Sequence, residues 1–312
     1  MPRRSLRLSV RLLALVMIGA AFGATAPVAL AEPDPACRTA CADTRFVEAG
    51  GVRYAYRVIG DADGAPLVMM NRFRGTMDEW DPAFVDRLAD ERTVILFDNA
   101  GVARSSGVPS RRLVDWADNT AAFVGALGYR EVDVLGFSLG GLMAQELAHR
   151  HPALVRRLII AGSGAGYVEG HNVRPEAIAV ATKPVNVDAD FLYLFFRDTP
   201  TSQAAGRAHL ARLRQREDAF ASVVSADAWR AMLSAASDVG APETSLLNRA
   251  PDLRIPVLVA NGVEDVMIPT YQSFALAQAL PNATLIIYPD SGHAFMFQFP
   301  EAFAGEVKRF LQ

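Results

Sequence analysis

Short apolar runs alternate with amphipathic segments along most of the chain. The apolar runs are typical of buried strands and lie at residues 66–70, 93–97, 132–135, 155–160, 255–260 and 284–288. The amphipathic segments have helical periodicity and lie at residues 81–90, 116–127, 138–149, 270–280 and 301–310. Residues 46–47 and 52–58 flank Gly50-Gly51, which predicts a β-hairpin before the first buried strand.

This order of elements predicts an α/β fold. Short buried strands that alternate with helices form a mostly parallel central sheet, which is flanked by helices on both faces. The opening hairpin adds antiparallel strands at one edge. The alternation stops at residues 164–248, where helical periodicity persists without a strand pattern. We therefore expect a core formed by residues 45–163 and 249–312, with a helical cap insertion at residues 164–248.

Composition narrows the classes of partner. Hydrophobic residues make up 51% of the chain, charged residues make up 21%, and the formal net charge is −3, which is typical of a globular protein. No long basic run occurs in the body of the chain, so no nucleic-acid partner is expected. We expect a small-molecule substrate and no membrane contact beyond a possible signal anchor. The sequence does not fix the oligomeric state.

Residues 1–31 have the three-part plan of a secretory signal peptide. Four arginines in the first 11 residues precede an apolar run at residues 12–30, which closes on the small-x-small pattern Ala29-Leu30-Ala31. We expect cleavage near Ala31 and export to the periplasm or out of the cell. A retained membrane anchor is the alternative, because the apolar run nearly reaches spanning length. Arg3-Arg4 also fits a twin-arginine signal loosely, so the export route stays open.

Residues 32–44 form an N-terminal arm that contains both cysteines, Cys37 and Cys41. In an oxidising compartment we expect these two thiols to pair, and the disulfide would staple only the arm. No histidine or further cysteine lies nearby, so we expect neither a metal site nor a catalytic thiol. The sequence predicts no cofactor.

The segment Gly136-Phe137-Ser138-Leu139-Gly140 carries the strongest chemical signal. It fits the pattern G-x-S-x-G, with a buried strand before it and a helix after it. A nucleophile on so sharp a turn has strained backbone dihedrals, and side-chain bulk at positions 136 and 140 would clash with neighbouring backbone. The helix also directs backbone N–H groups and its positive dipole end at the reacting centre. The pattern predicts Ser138 as a nucleophile.

A serine nucleophile needs a base, and the chain has five histidines. His293 follows the last predicted strand, and loops at the C-terminal ends of parallel strands converge on the site. Asp265 follows the strand at residues 255–260 and is the predicted acid that orients His293, with the adjacent Glu264 as its rival. The turn after the strand at residues 155–160 contains no carboxylate, which favours the later position.

The chain order Ser138, Asp265, His293 is that of α/β-hydrolases, and the chain resembles that superfamily over residues 45–312 as a serine-nucleophile, lid-containing member. Residues 98–105 resemble the loop after the fourth strand in that family. Residues 262–265 with Pro269 resemble its acid turn, Gly292-His293 resembles its base loop, and the insertion occurs where the family places a cap. Serine at position 138 disfavours the branches with an aspartate nucleophile, the epoxide hydrolases and haloalkane dehalogenases.

One stretch departs from the family pattern. Many members carry a His-Gly pair after the third strand, and the residue after the pair donates a backbone N–H to the oxyanion hole. Asn71 and Arg72 occupy those two positions here, so the resemblance implies Phe73 and Leu139 as the oxyanion-hole donors. Arg72 and Arg74 are either surface charges or pocket residues that attract an anionic substrate.

These residues favour an exported serine hydrolase of the carboxylesterase or lactonase type. It would cleave an ester or lactone of a small to medium, largely apolar substrate through an acyl-enzyme intermediate. The aromatic run at residues 191–196 either packs the cap onto the core or lines an apolar pocket above Ser138. The alternatives are a ligand-binding protein that retains the triad with slow turnover, and a cofactor-free perhydrolase or haloperoxidase.

Overall fold

A single sheet of eight strands organises the protein. The structure is a computed structural model that describes residues 37–312. The strands are β1 (Arg45–Ala49), β2 (Val52–Ile59), β3 (Leu67–Met70), β4 (Val94–Phe97), β5 (Val132–Phe137), β6 (Val155–Ala161), β7 (Val257–Gly262) and β8 (Ala283–Tyr288). Their spatial order is β1-β2-β4-β3-β5-β6-β7-β8. The pairs β1–β2 and β2–β4 are antiparallel and the other neighbouring pairs are parallel, so the predicted mostly parallel sheet with an antiparallel edge is confirmed.

Helices flank the sheet and fill the insertion. They are α1 (Pro82–Ala89), α2 (Leu113–Ala126), α3 (Leu139–Arg150), α4 (Pro175–Ala181), α5 (Asp188–Phe195), α6 (Pro200–Leu213), α7 (Ala226–Ser237), α8 (Thr270–Ala279), α9 (Phe295–Gln298) and α10 (Pro300–Phe310). Single 3-10 turns occur at Met77–Glu79, Leu246–Asn248 and Ala250–Asp252. Residues 164–248 contain α4 to α7, and the described chain forms no strand between β6 and β7.

The period-2 alternation of each strand divides the core between the two faces of the sheet. Val68 and Met70 of β3 belong to one buried cluster, which includes side chains of α2 and α3 such as Trp116. Leu67 and Met69 belong to a second cluster, which includes Phe84 of α1 and residues of α10. The two clusters explain why the central strands are apolar on both faces.

The start of helix α2 differs from the start that the periodicity predicts. It begins at Leu113, three residues before the predicted start, and the residue before it, Arg112, makes no side-chain capping bond. The sequence therefore offers no capping signal at this helix start. Helix α1 is the opposite case, because Asp81 caps it by accepting a hydrogen bond from the Ala83 N–H and Pro82 occupies its first position.

The described part of the N-terminal arm is attached to the core. Cys37 and Cys41 form a disulfide, and between them the Thr39 backbone N–H donates to Asp86 of α1 at 2.9 Å. The predicted signal peptide at residues 1–31 lies outside the described residues. Within residues 37–312, no helix combines the length and apolar character needed to cross a bilayer.

Candidate active site

Ser138 lies at the junction of β5 and α3 in a strained backbone conformation. Its φ is +56° and its ψ is −122°, a region that residues with a side chain rarely adopt. Two glycines allow this turn to pack. A Cβ atom at Gly136 would lie 2.3 Å from the Gly140 carbonyl oxygen, and one at Gly140 would lie 2.1 Å from the carbonyl oxygen of Met70. The expectation that side-chain bulk at both positions would clash with backbone is confirmed.

His293 and Asp265 form a buried pair at the C-terminal end of the sheet. Asp265 follows β7, His293 follows β8, and Nδ1 of His293 lies 2.6 Å from Oδ2 of Asp265. The other oxygen of Asp265 accepts the backbone N–H groups of Met267 and Ile268 at 2.7 and 2.9 Å. These two donors hold the carboxylate in position, and an acceptor at Oδ2 places the proton of a neutral His293 on Nδ1. Nε2 of His293 is then free to act as a base.

Glu264, the rival acid, faces away from this pair. Its side chain is 61% exposed and pairs with Arg197 at 2.7 Å. The backbone N–H of Glu264 donates to the Ser291 carbonyl oxygen at 3.1 Å, so the acid turn and the base loop are joined at this position while the two carboxylates diverge. The contact with His293 belongs to Asp265.

Ser138 and His293 line one cavity of about 470 Å³. Helix α5 contributes Phe191, Leu194 and Phe195 to its wall. Nε2 of His293 is buried without a hydrogen-bond partner, so the structure brings Ser138 and His293 to the same space without a hydrogen bond between them. Such contacts often tighten only when substrate binds.

The two predicted oxyanion-hole donors lie in different segments, one at the start of α3 and the other in the loop after β3. Leu139 is the first residue of α3, where a backbone N–H has no partner within the helix. Phe73 lies in the loop after β3 and lines the cavity. Within residues 37–312, the N–H groups of Leu139 and Phe73 donate to no protein acceptor. Asn71 shapes this loop, because its side chain accepts from the Arg72 N–H at 2.8 Å and donates to the Thr76 carbonyl oxygen.

Comparison with known proteins decides the family. The family model described as the alpha/beta hydrolase fold matches residues 65–300. The chain belongs to the α/β-hydrolase fold family. This membership supports hydrolase activity, and it confirms the fold class and the resemblance that the motifs carried.

Several α/β-hydrolases are similar over most of the chain. An alpha/beta hydrolase fold protein from Chitinophaga pinensis is 36% identical, with a TM-score of 0.80 over 88% of this chain and 99% of that one. The poly(3-hydroxyalkanoate) depolymerase of Ectopseudomonas oleovorans is 29% identical over 249 residues, 79% of this chain and 84% of the relative. Est816, described as an N-acyl homoserine lactone degrading enzyme, is 26% identical, with a TM-score of 0.65 over 85% of this chain and all of its own.

Arg72 and Arg74 both line the cavity of this α/β-hydrolase, so they are not simple surface charges. The Arg72 guanidinium pairs with Glu79, donates to the Phe73 carbonyl oxygen at 2.9 Å and lies over the ring of Phe195. The Arg74 guanidinium donates to backbone carbonyl oxygens of the insertion. Protein acceptors therefore engage both groups, which weakens the expectation that either attracts an anionic substrate.

Sequence reasoning missed a second buried histidine pair. His209 of α6 is fully buried, and its Nδ1 lies 2.8 Å from Oδ2 of Asp81. Arg212 donates one hydrogen bond to each oxygen of the same carboxylate. Burial alone would raise the pKa of Asp81, but the bonds from Arg212 and His209 outweigh it and hold the pKa below its ordinary value. The pair fastens α6 to the start of α1. No local motif predicts the His209–Asp81 pair, because the two residues are 128 positions apart in the sequence.

The buried carboxylate of Asp98 contacts the segment that follows the loop after β3. Asp98 follows β4, and its Oδ1 accepts the Met77 N–H at 2.8 Å. Burial raises the pKa of Asp98 to about 6, although backbone N–H bonds from Met77 and Arg104 oppose that rise.

Among the described residues, no group of three or more His, Cys, Asp or Glu side chains is arranged to hold a metal ion.

Proposed function

We propose that the protein is an exported serine hydrolase that cleaves an ester or lactone of a small to medium, largely apolar substrate. The observation that carries the proposal is the shared cavity. The Asp265-oriented base His293 and the strained Ser138 face the same space, which is walled by aromatic side chains. That combination of nucleophile, base and orienting acid is the triad of acyl-transfer catalysis.

In acylation, Ser138 Oγ attacks the carbonyl carbon of the bound ester while His293 Nε2 takes the hydroxyl proton. Asp265 stabilises the resulting imidazolium through the hydrogen bond at Nδ1. The tetrahedral oxyanion accepts hydrogen bonds from the N–H groups of Leu139 and Phe73. As the intermediate collapses, the proton passes from His293 to the leaving alkoxide, and an acyl group remains on Ser138.

Deacylation repeats these steps with water as the nucleophile. His293 Nε2 removes a proton from a water molecule, and the water oxygen attacks the acyl carbonyl carbon. His293 then donates the proton to Ser138 Oγ as the acyl group leaves. The products are a carboxylic acid and the free enzyme. With a lactone the leaving alkoxide stays attached to the acyl group, so the product is a single hydroxy acid.

The cavity and two relatives support the proposed substrate class. A volume of about 470 Å³ lies within the range of small-molecule sites, and α5 presents apolar side chains to it. The names of two relatives refer to a poly(3-hydroxyalkanoate) and to an N-acyl homoserine lactone, and both of these compounds contain an ester bond. Both observations favour ester and lactone substrates with apolar acyl groups.

The test is turnover by the purified mature chain on p-nitrophenyl esters of graded acyl length and on a set of lactones. We expect steady multiple turnover with a preferred acyl length. Saturable binding with negligible turnover on every ester and lactone would support a ligand-binding protein instead. Halide oxidation that requires a carboxylic acid and peroxide, in the absence of ester cleavage, would support a perhydrolase.

A further inference from the structure

Arg74 joins the loop after β3 to two separate parts of the insertion. The guanidinium donates to the carbonyl oxygens of Ala181, Lys183 and Pro184 at 3.1, 2.6 and 3.4 Å. Ala181 is the last residue of α4, and carbonyl groups at a helix end lack partners within the helix. A cation is also favoured at the negative end of the helix. One side chain therefore satisfies three acceptors at the edge of the cap.

The same residue also contacts α7. The Arg74 guanidinium carbon lies 5.4 Å from the centre of the Trp229 ring, and the Arg74 backbone N–H approaches the sulfur of Met232 at 3.4 Å. The preceding residue, Phe73, packs edge-on against Trp229 with ring centroids 6.4 Å apart. The tip of the loop, Phe73 and Arg74, is thus held between α4 and α7.

The backbone at Arg74 is strained. Its φ is +56°, a conformation that costs energy for any residue with a Cβ and persists only when its surroundings hold it. The base of the loop is fixed independently, because the Asn71 side chain bonds to both Arg72 and Thr76. The turn at the tip is closed by a hydrogen bond from the Gly75 N–H to the Arg72 carbonyl oxygen at 3.0 Å. The contacts of Arg74 with the cap add to this bond in holding the tip, where the Phe73 N–H lies.

We propose that Arg74 is a positioning residue that couples the seating of the cap to the assembly of the oxyanion hole. When the cap is seated, its carbonyl oxygens hold Arg74 in the left-handed conformation, and the Phe73 N–H points to the developing oxyanion. When the cap shifts, Arg74 loses these acceptors, the strained backbone relaxes and the donor turns away. This inference rests on the proposed function, because it needs an oxyanion that forms at Ser138.

Arg74→Ala is the direct test, with Arg230→Ala as the matched control. Arg230 also lies over Trp229, at 5.1 Å, but it is exposed and its ion pair is with Asp227 of the same helix. With p-nitrophenyl acetate, we expect Arg74→Ala to lower kcat by about 10- to 100-fold, since a small misplacement of a reacting group costs up to that factor. KM should stay within about twofold, and Arg230→Ala should match the wild type.

Two further readouts separate positioning from a loss of folding. A boronic acid forms a tetrahedral adduct with a serine nucleophile, so its affinity should weaken by the same factor as kcat. Added methylguanidinium should restore part of kcat in Arg74→Ala and none in Arg230→Ala. Amide hydrogen exchange should rise in residues 72–76 and 181–187 of Arg74→Ala, with protection of β5 and β6 unchanged.

The outcomes are distinct. A wild-type kcat for Arg74→Ala would overturn the coupling and leave the proposed hydrolase intact, as would a fall in kcat with unchanged boronic acid affinity. A loss of exchange protection throughout the core would show a general folding defect and would also overturn a positioning role. Failure of the wild-type enzyme to turn over any ester or lactone would refute the proposed function itself.

Discussion

A Cβ atom at Gly262 would lie 2.2 Å from the carbonyl oxygen of Gly292, so the acid turn and the base loop approach each other as closely as backbone allows. Two hydrogen bonds accompany this approach, from the Val263 N–H to Tyr288 and from the Glu264 N–H to Ser291. The close packing of these two loops sets the short contact between Asp265 and His293. Glycine at position 262 is therefore required by the packing, whatever the substrate.

The first prediction separates the two adjacent carboxylates. Asp265→Asn should lower kcat on a p-nitrophenyl ester by about 10⁴-fold, because an amide no longer stabilises the imidazolium or the correct tautomer of His293. Glu264→Gln is the matched control and should leave kcat within about threefold, since Glu264 contacts Arg197 at the surface. A larger loss of kcat in Glu264→Gln than in Asp265→Asn would reassign the acid.

The second prediction concerns the apolar wall of the cavity. Phe195 is buried, lines the cavity and packs near the His293 ring, with ring centroids 5.3 Å apart. Phe195→Ala should lower the free energy of unfolding by about 3–5 kcal/mol and shift the preferred acyl length toward longer chains. Tyr193→Ala, an exposed position on the same helix, should change neither property. An unaltered acyl-length profile in a folded Phe195→Ala enzyme would assign Phe195 to packing alone.

The third prediction is a pH dependence of stability that arises from Asp98. Burial raises its pKa from 3.8 to about 6, so the folded state binds the proton more tightly than the unfolded state between these values. The contribution of Asp98 to stability therefore falls as pH rises from about 4 to 6, and it is constant above that window. Asp98→Asn removes the titration.

The test compares unfolding free energies of the two proteins in urea at several pH values. The stability of Asp98→Asn relative to the wild type should rise by about 2 kcal/mol between pH 4 and pH 7, because one pKa unit corresponds to 1.36 kcal/mol and part of the titration lies below pH 4. The difference in unfolding free energy between Asp98→Asn and the wild type cancels the contribution of the other titrating groups, which both proteins share. A difference that stays constant with pH would show that Asp98 has an ordinary pKa.

Sequence patterns predicted most of the core because its signals are local. The G-x-S-x-G turn and the buried strand before it are adjacent in the sequence. The geometry at Ser138 and the Asp265–His293 contact fit the residues that the sequence singled out. Helices α4 and α5 lie within the insertion that was predicted to be helical, although their bounds were not predicted. Helix α9 was missed, because four residues give little periodicity.

Long-range pairings could not be predicted. The Arg74 contacts with the end of α4 join residues 107 to 110 positions apart, and the His209–Asp81 pair spans 128. Neither side chain belongs to a motif, and a lone Arg or His in a sequence carries no record of its partner. The orientation of Glu264 away from His293 could not be predicted either, because it depends on a long-range ion pair with Arg197 in the insertion.

The fourth prediction concerns the N-terminus. The Arg-rich start, the apolar run and Ala29-Leu30-Ala31 predict that the exported chain begins at or near Glu32. Expression of the full sequence in a bacterial host, followed by N-terminal sequencing of the periplasmic or secreted fraction, checks this. Recovery of the protein in the membrane fraction with residues 3–30 intact would support a signal anchor.

The nucleophilic role of Ser138 is tested most directly by stoichiometric labelling with diisopropyl fluorophosphate, followed by peptide mass spectrometry. One phosphoryl group per chain should attach to Ser138, and esterase activity should fall in proportion to labelling. Ser138→Ala should take up no label, keep the wild-type melting temperature and lose about 10³-fold or more in kcat. Label on another residue, or ester turnover that survives complete labelling of Ser138, would contradict the account.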